Sequence, residues 1–134
     1  MKKTVRLFLL FPILLWSCKK DKGIRTLEKD LIGTWEMVST DDHLGYRQYQ
    51  LGRGYNTEYQ TKNVVRRREG NILVFSGKYS LVRKADCQSR VSDIYLTTNE
   101  SSSVPYYVEM KNDTLYMSKP NCNGVYSVSA YRRL

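Results

Sequence analysis

The chain has 134 residues, with 22 basic against 13 acidic side chains, a formal net charge of +9, 11 tyrosines, three cysteines and a single histidine. One histidine and no Cys-x-x-C pair exclude the usual zinc ligand sets, and no G-x-S-x-G elbow is present to carry a nucleophilic serine. In chain order, Lys2, Lys3 and Arg6 open a basic segment that the apolar run Leu7–Trp16 follows. That run is far short of the roughly 20 residues a spanning helix needs, and Pro12 interrupts it, so residues 1–17 read as a cleaved secretory signal.

The signal closes on Leu15-Trp16-Ser17-Cys18, which resembles a lipobox, although Trp16 stands where a small residue is usual. The resemblance implies a mature chain beginning at Cys18 and carrying acyl chains such as palmitate, which together give stable membrane anchoring. The alternative is an ordinary signal cut nearby, leaving Cys18 as a free thiol. Residue 19 is lysine rather than aspartate, which points to the outer membrane, on its periplasmic side or at the cell surface. Removal of the three basic residues of the signal leaves 19 basic against 13 acidic side chains, a net charge of +6. An exported, moderately basic protein favours anionic lipids or acidic glycans over nucleic acid.

Residues 18–26 read as an anchored tether and residues 27–134 as one domain. A short helical turn is expected at Leu27–Leu31. Runs of tyrosine and β-branched residues then predict eight strands: Ile32–Ser39, Leu44–Leu51, Glu58–Arg68, Asn71–Val82, Val91–Thr98, Val104–Met110, Thr114–Ser118 and Val125–Arg133. Lys111-Asn112-Asp113 and Glu69-Gly70-Asn71 supply turns. Alternation places Trp35 with Met37, Leu73 with Phe75, Tyr79 and Leu81, and Ile94 with Leu96 on inner faces. It does the same for Val108 with Met110, Leu115 with Met117, and Tyr126 with Val128, Ala130 and Arg132. The fold class is all-β: an eight-stranded antiparallel up-and-down barrel with a short N-terminal helical turn, closed on itself and able to enclose one small ligand. Cys87 and Cys122 lie in an oxidising compartment and are expected to form a disulfide, the alternative being two unpaired thiols.

Leu31-Ile32-Gly33-Thr34-Trp35 resembles the opening strand of lipocalin-like domains, with their Gly-x-Trp signature, and Tyr131-Arg132-Arg133 resembles their closing strand. The likeness implies a barrel-closing set of Gly33, Trp35 and Arg132, the arginine lying over the tryptophan. Asn112–Met117 resembles the penultimate strand of small lipocalin-like lipoproteins of the Bacteroidetes type. The chain is shorter than typical lipocalins and carries no C-terminal helix. Asp113-Thr114-Leu115 resembles a short motif glycosylated on its hydroxyl in Bacteroidetes, which makes Thr114 a candidate modification site.

His43, within Asp41-Asp42-His43-Leu44-Gly45, reads as part of a polar turn rather than a metal or acid/base site. The acids show no spacing that suggests a glycosidase pair. No enzymatic activity, metal or cofactor is therefore expected. Arg66-Arg67-Arg68 reads as a charged edge strand more readily than as an anion site. The expected function is a non-enzymatic, lipid-anchored envelope lipoprotein binding a small apolar or amphipathic ligand against Trp35, Met37, Phe75, Tyr79, Tyr106, Met110, Met117 and Tyr126. The alternative is a filled barrel whose loops grip an envelope protein or glycan, with Tyr46, Tyr49, Tyr55 and Tyr59 as the contact cluster.

Overall fold

The computed structural model describes residues 21–85, 92–101, 104–119 and 127–134. Cys18, Cys87, Cys122 and Tyr126, and the signal segment 1–17, lie outside them. The first element, α1 (Lys22–Leu31), starts where Asp21 accepts hydrogen bonds from the Gly23 and Ile24 amides at 2.7 and 3.2 Å. A side-chain acceptor at that position satisfies amides that the first helical turn leaves unpaired. Arg83 holds the same carboxylate at 3.0 and 3.1 Å and, with the two amides, draws its pKa down to about 2. The helix therefore begins earlier than the expected turn at Leu27, and residues 22–26 are helical rather than tether. Ile24, Leu27 and Leu31 recur at helical spacing and pack on the core.

Gly33, at φ 141°, turns the chain out of the helix into β1 (Gly33–Asp42). The strands that follow are β2 (Gly45–Gln48), β3 (Tyr55–Gln60), β4 (Val64–Glu69), β5 (Ile72–Ala85), β6 (Ser92–Thr98), β7 (Tyr106–Lys111), β8 (Thr114–Lys119) and β9 (Ser127–Arg133). Each neighbouring pair is antiparallel, and β9 runs along β1 from Arg133 opposite Trp35 to Ser127 opposite Asp42, which closes the barrel. β2 and β3 share one edge of β1, pairing with residues 39–42 and 33–36 respectively, so nine strands fill eight barrel positions.

The expected third strand, Glu58–Arg68, is in fact the end of β3, a tight turn at Thr61–Asn63, and β4. Lys62 and Asn63 both adopt positive φ there, without a glycine or proline to announce the turn. Asn112 and Asp113 take the same left-handed conformation in the expected turn between β7 and β8. Residues 49–54, which interrupt the second barrel position, are fastened by Glu36. This carboxylate is 2% exposed and accepts from the Gly52 and Gly54 amides at 2.7 and 3.3 Å. A Cβ on Gly54 would stand 2.7 Å from the Gly70 Cα, so only glycine lets this loop close against the β4–β5 turn.

The two ends of the barrel differ. At one end α1 covers the interior over Leu31, Trp35, Val65, Leu96 and Leu115, all essentially inaccessible. Trp35 Nε1 donates to the Leu31 carbonyl at 2.8 Å, and the Arg133 guanidinium lies over the indole at 4.6 Å from its centre. Arg133 also donates to the Ile32 and Asp30 carbonyls, joining the end of the helix to the last strand. The arginine over the tryptophan is thus Arg133, not Arg132. The inner face of β9 is Ser127, Ser129 and Tyr131, while Val128 and Ala130 lie on the opposite face. A rule that turns apolar side chains inward selects the wrong register where the interior is polar.

A second correction falls on β5. Its pairing with β4 shifts between Arg67 and Arg68, inserting Val74 as an extra residue and leaving Leu73 exposed while Phe75, Tyr79 and Leu81 face inward. The described strand ends flanking Cys87, Ala85 and Ser92, meet at the helix-covered end. Those flanking Cys122, Lys119 and Ser127, meet at the other.

The two C-terminal arginines separate by stability. Arg133→Ala is expected to cost about 1 kcal/mol, from a cation–ring contact and charged hydrogen bonds to carbonyls near the surface. Arg132→Ala is expected to stay within about 0.5 kcal/mol, as for most surface changes. Urea unfolding of the two variants checks this ordering, and equal losses would count against the Arg133 latch.

Candidate functional site

Toward the end away from α1 the packed interior gives way to a cavity of about 430 Å³. That lies at the lower end of the range of small-molecule sites. The inner faces of β1, β3, β4 and β9 build most of its wall. A bulge at Val38 in β1 shifts the alternation, so Met37 and then Thr40 face inward. Regular alternation in β3 brings in Tyr55, Thr57 and Tyr59, and in β4 brings in Arg67 one step beyond the fully buried Val65. Ser129 and Tyr131 come from β9, with Tyr106 and Met117 completing the wall.

The floor is Tyr59, 3% exposed, whose ring meets Tyr79 edge-on at 5.3 Å and whose hydroxyl donates to Met117 Sδ at 3.7 Å. Thioether sulfur is a weak acceptor. Burial pushes the Tyr59 phenol well above the ordinary range, with the neighbouring Tyr131 adding to the shift and Arg67 opposing it. Tyr131 is pushed up to about 12, chiefly by burial, then by Tyr106, against the opposing influence of Arg67 and of a hydrogen bond with Ser129. Near the mouth, the Tyr49 and Thr40 hydroxyls share a hydrogen bond at 3.2 Å, and the Tyr49 and Tyr55 rings meet edge-on at 5.6 Å. The raised Tyr59 and Tyr131 phenols stay protonated at physiological pH and offer both donor and acceptor.

Arg67 lies at the side of the cavity, its guanidinium 5.6 Å from the centre of the Phe75 ring and 3.5 Å from a Glu100 oxygen. Arg47, Arg68 and Lys119 add cationic side chains to the wall, and Asp42 and Glu69 add acidic ones. Lys119 Nζ sits 5.9 Å from the centre of the Tyr106 ring. Among the described residues no group of three or more His, Cys, Asp or Glu side chains is placed to hold a metal ion.

Of the residues expected to meet a ligand, Met37, Tyr106 and Met117 line the cavity. Trp35 is wholly buried beneath it in the closing latch, and Tyr79 lies behind the floor on the helix side. Phe75 backs Arg67, and Met110 borders a shallow groove between α1 and the β6–β7 wall. Gly33 forms the helix-to-strand turn, and Thr114 begins β8 opposite Lys111 and Arg132. His43 is exposed in the β1–β2 turn, where the Leu44 amide donates to Asp42 at 2.8 Å. Tyr59 was expected only in the loop cluster of the alternative reading and Arg67 only in the less favoured anion-site reading, while Thr57, Ser129 and Tyr131 were not expected as ligand contacts. Their signal is hydroxyl-bearing side chains at every second position, Tyr55-x-Thr57-x-Tyr59 and Ser127-x-Ser129-x-Tyr131.

No family model matches the chain, and no curated protein or solved structure is significantly similar to it. Fold and site together define a closed antiparallel β-barrel with an apolar, helix-covered end and a polar, tyrosine-lined cavity toward the other.

The raised Tyr131 phenol makes stability depend on alkaline pH. Unfolded tyrosine ionises near 10.0 and the folded residue near 12, so the folded state holds the extra proton between those values. Stability is unaffected by this group below about pH 10 and falls above it by up to about 1.4 kcal/mol per pH unit. Tyr131→Phe is expected to flatten that decline by up to one proton's worth, measured by denaturant unfolding between pH 9 and about 11.5. An unchanged slope would mean that Tyr131 titrates as a solvated phenol.

Proposed function

We propose that the protein is a lipid-anchored lipoprotein of the cell envelope, of the small lipocalin-like type, that binds a small amphipathic molecule and catalyses no reaction. The observation that carries this reading is the cavity of about 430 Å³, walled by tyrosine rings and hydroxyls toward the end of the barrel away from α1. Aromatic walls with a few convergent polar groups suit the enclosure and orientation of a small ligand. The basic segment, the apolar run and the Leu15–Cys18 sequence support export and acylation at Cys18, and an outer-membrane location follows from the residues after it.

With Cys18 acylated, the short distance from anchor to barrel favours one orientation. Asp21, bound to Arg83 at the helix-covered end, stands three residues after Cys18, a reach of at most about 11 Å. A barrel held so closely stands on the membrane by its closed end, with the cavity mouth facing the aqueous side. The ligand then enters from solution rather than from the supporting leaflet.

The reading in which the loops bind a protein or glycan draws on a different observation. Leu44, Tyr46 and Ile72, 65–70% exposed, project near the mouth end. Such a rim suits a partner that covers the mouth.

Native mass spectrometry of the protein extracted from the envelope tests both parts of the proposal. The expected mass is that of the chain from Cys18 with acyl groups attached, together with a small molecule that is lost on denaturation. Ser129→Phe, which fills the cavity from β9, is expected to retain at least tenfold less of it, about the effect of losing a buried contact. An unmodified Cys18 would rule out the anchor, and equal retention by the variant would rule out the cavity.

A further inference from the structure

We propose that the cavity selects organic monoanions, seating a carboxylate, sulfonate or phosphodiester group on Arg67 and an aromatic or apolar body against the tyrosines. The proposal rests on the cavity being the binding site and adds the chemical class of its ligand.

Three observations lead there. Arg67 is on the inner face of β4, directly above the core residue Val65 and opposite Thr57 of β3. A guanidinium has five N–H donors, yet among the described residues Arg67 makes one hydrogen bond, at 3.5 Å to a single Glu100 oxygen. That is too long and too one-sided for the bidentate geometry a carboxylate can offer. Much of its donor capacity is therefore left to solvent at the cavity wall.

The second observation concerns what a ligand does on entering. It displaces the water that now solvates Arg67, whose side chain is 41% exposed. Covering this cation with a neutral body leaves it desolvated with only the long, one-sided Glu100 contact as counter-charge, which is unfavourable, whereas an anion restores the lost interactions in charge-assisted form. The Tyr59 hydroxyl stands on the same floor with only a weak sulfur acceptor at 3.7 Å, ready to donate to an anionic oxygen. The influence of Arg67 on both Tyr59 and Tyr131 places the three groups within electrostatic reach of one another.

The third is the charge of the wall: Arg47, Arg67, Arg68 and Lys119 against Asp42 and Glu69. The surplus is positive but modest, which suits one negative charge better than several. Tyr59, Tyr106 and Met117 of the wall offer ring and apolar side-chain carbon to the remainder of the ligand.

The test uses two fluorescent probes that differ by one group: 8-anilinonaphthalene-1-sulfonate and N-phenyl-1-naphthylamine, the same skeleton without the sulfonate. Each is titrated into the chain from residue 18 onward carrying Cys18→Ser, so that no acyl chain or detergent competes. The sulfonate is expected to bind about tenfold or more tightly than the neutral probe, the usual scale of a charge-assisted hydrogen bond. Arg67→Gln is expected to erase that difference while leaving the neutral probe's affinity in place, which also shows that the variant is folded. Arg66→Gln, on the outer face of the same strand, keeps the preference. Equal binding of the two probes, or a preference that survives Arg67→Gln, would overturn the anion assignment while leaving the cavity as a binding site. Binding of neither probe would overturn both.

Discussion

One contact set organises the molecule: Trp35 held between the Leu31 carbonyl and the Arg133 guanidinium. The indole N–H satisfies a carbonyl that the end of α1 would otherwise leave without a partner. Arg133 adds bonds to two further carbonyls of the same helix end, from the last strand of the barrel. The first strand, the last strand and the helix are thereby joined at one point, although Trp35 and Arg133 are separated by nearly the whole domain. A barrel closed in this way has a packed end, and the cavity lies toward the other.

The interior divides at Tyr59. Below it, Leu31, Trp35, Val65, Leu96 and Leu115 fill the space between helix and strands. Above it the strands carry hydroxyls and a guanidinium inward, and their outer faces carry the apolar residues instead, as Val128 and Ala130 do on β9. Polar side chains that line an unfilled space gain little from packing and are consistent with a surface kept for water or a ligand. Apolar packing at the helix-covered end gives the barrel its closure, and the upper half holds the polar cavity. Glu36 contributes from outside by fastening residues 49–54, which lets the second barrel position carry Tyr49 and Tyr55 on either side of a break.

Much of this was legible in the sequence. Short β-rich runs between turn residues gave the barrel and most strand positions, and Gly33-Thr34-Trp35 marked the sealed end. The turn at Thr61–Asn63 was not visible, because it uses Lys62 and Asn63 in a left-handed conformation rather than glycine or proline. The bulges at Val38 and Val74 were equally hidden, since one extra residue leaves composition unchanged while reversing every face beyond it. The site suffered most from the apolar-inward rule. It chose Phe75, Tyr79 and Met110, which belong to the packed half or its flank, over Thr57, Ser129 and Tyr131, which line the cavity. It also turned β9 by one residue, and with it the choice between Arg132 and Arg133. Arg67 was read as one charge in a basic run, because only the pairing of β4 shows that it is the arginine on the inner face.

The central claim is that one end of this barrel is sealed and the other holds the binding surface. Amide and indole NMR of the isotope-labelled protein, titrated with anilinonaphthalene sulfonate, tests it residue by residue. Shifts confined to Met37, Thr57, Tyr59, Arg67, Ser129 and Tyr131, with the Trp35 indole N–H unmoved, are the predicted result. Shifts centred on the outer-face arginines Arg66 and Arg132, or a moving Trp35 indole signal without change at Tyr59 and Arg67, would contradict it.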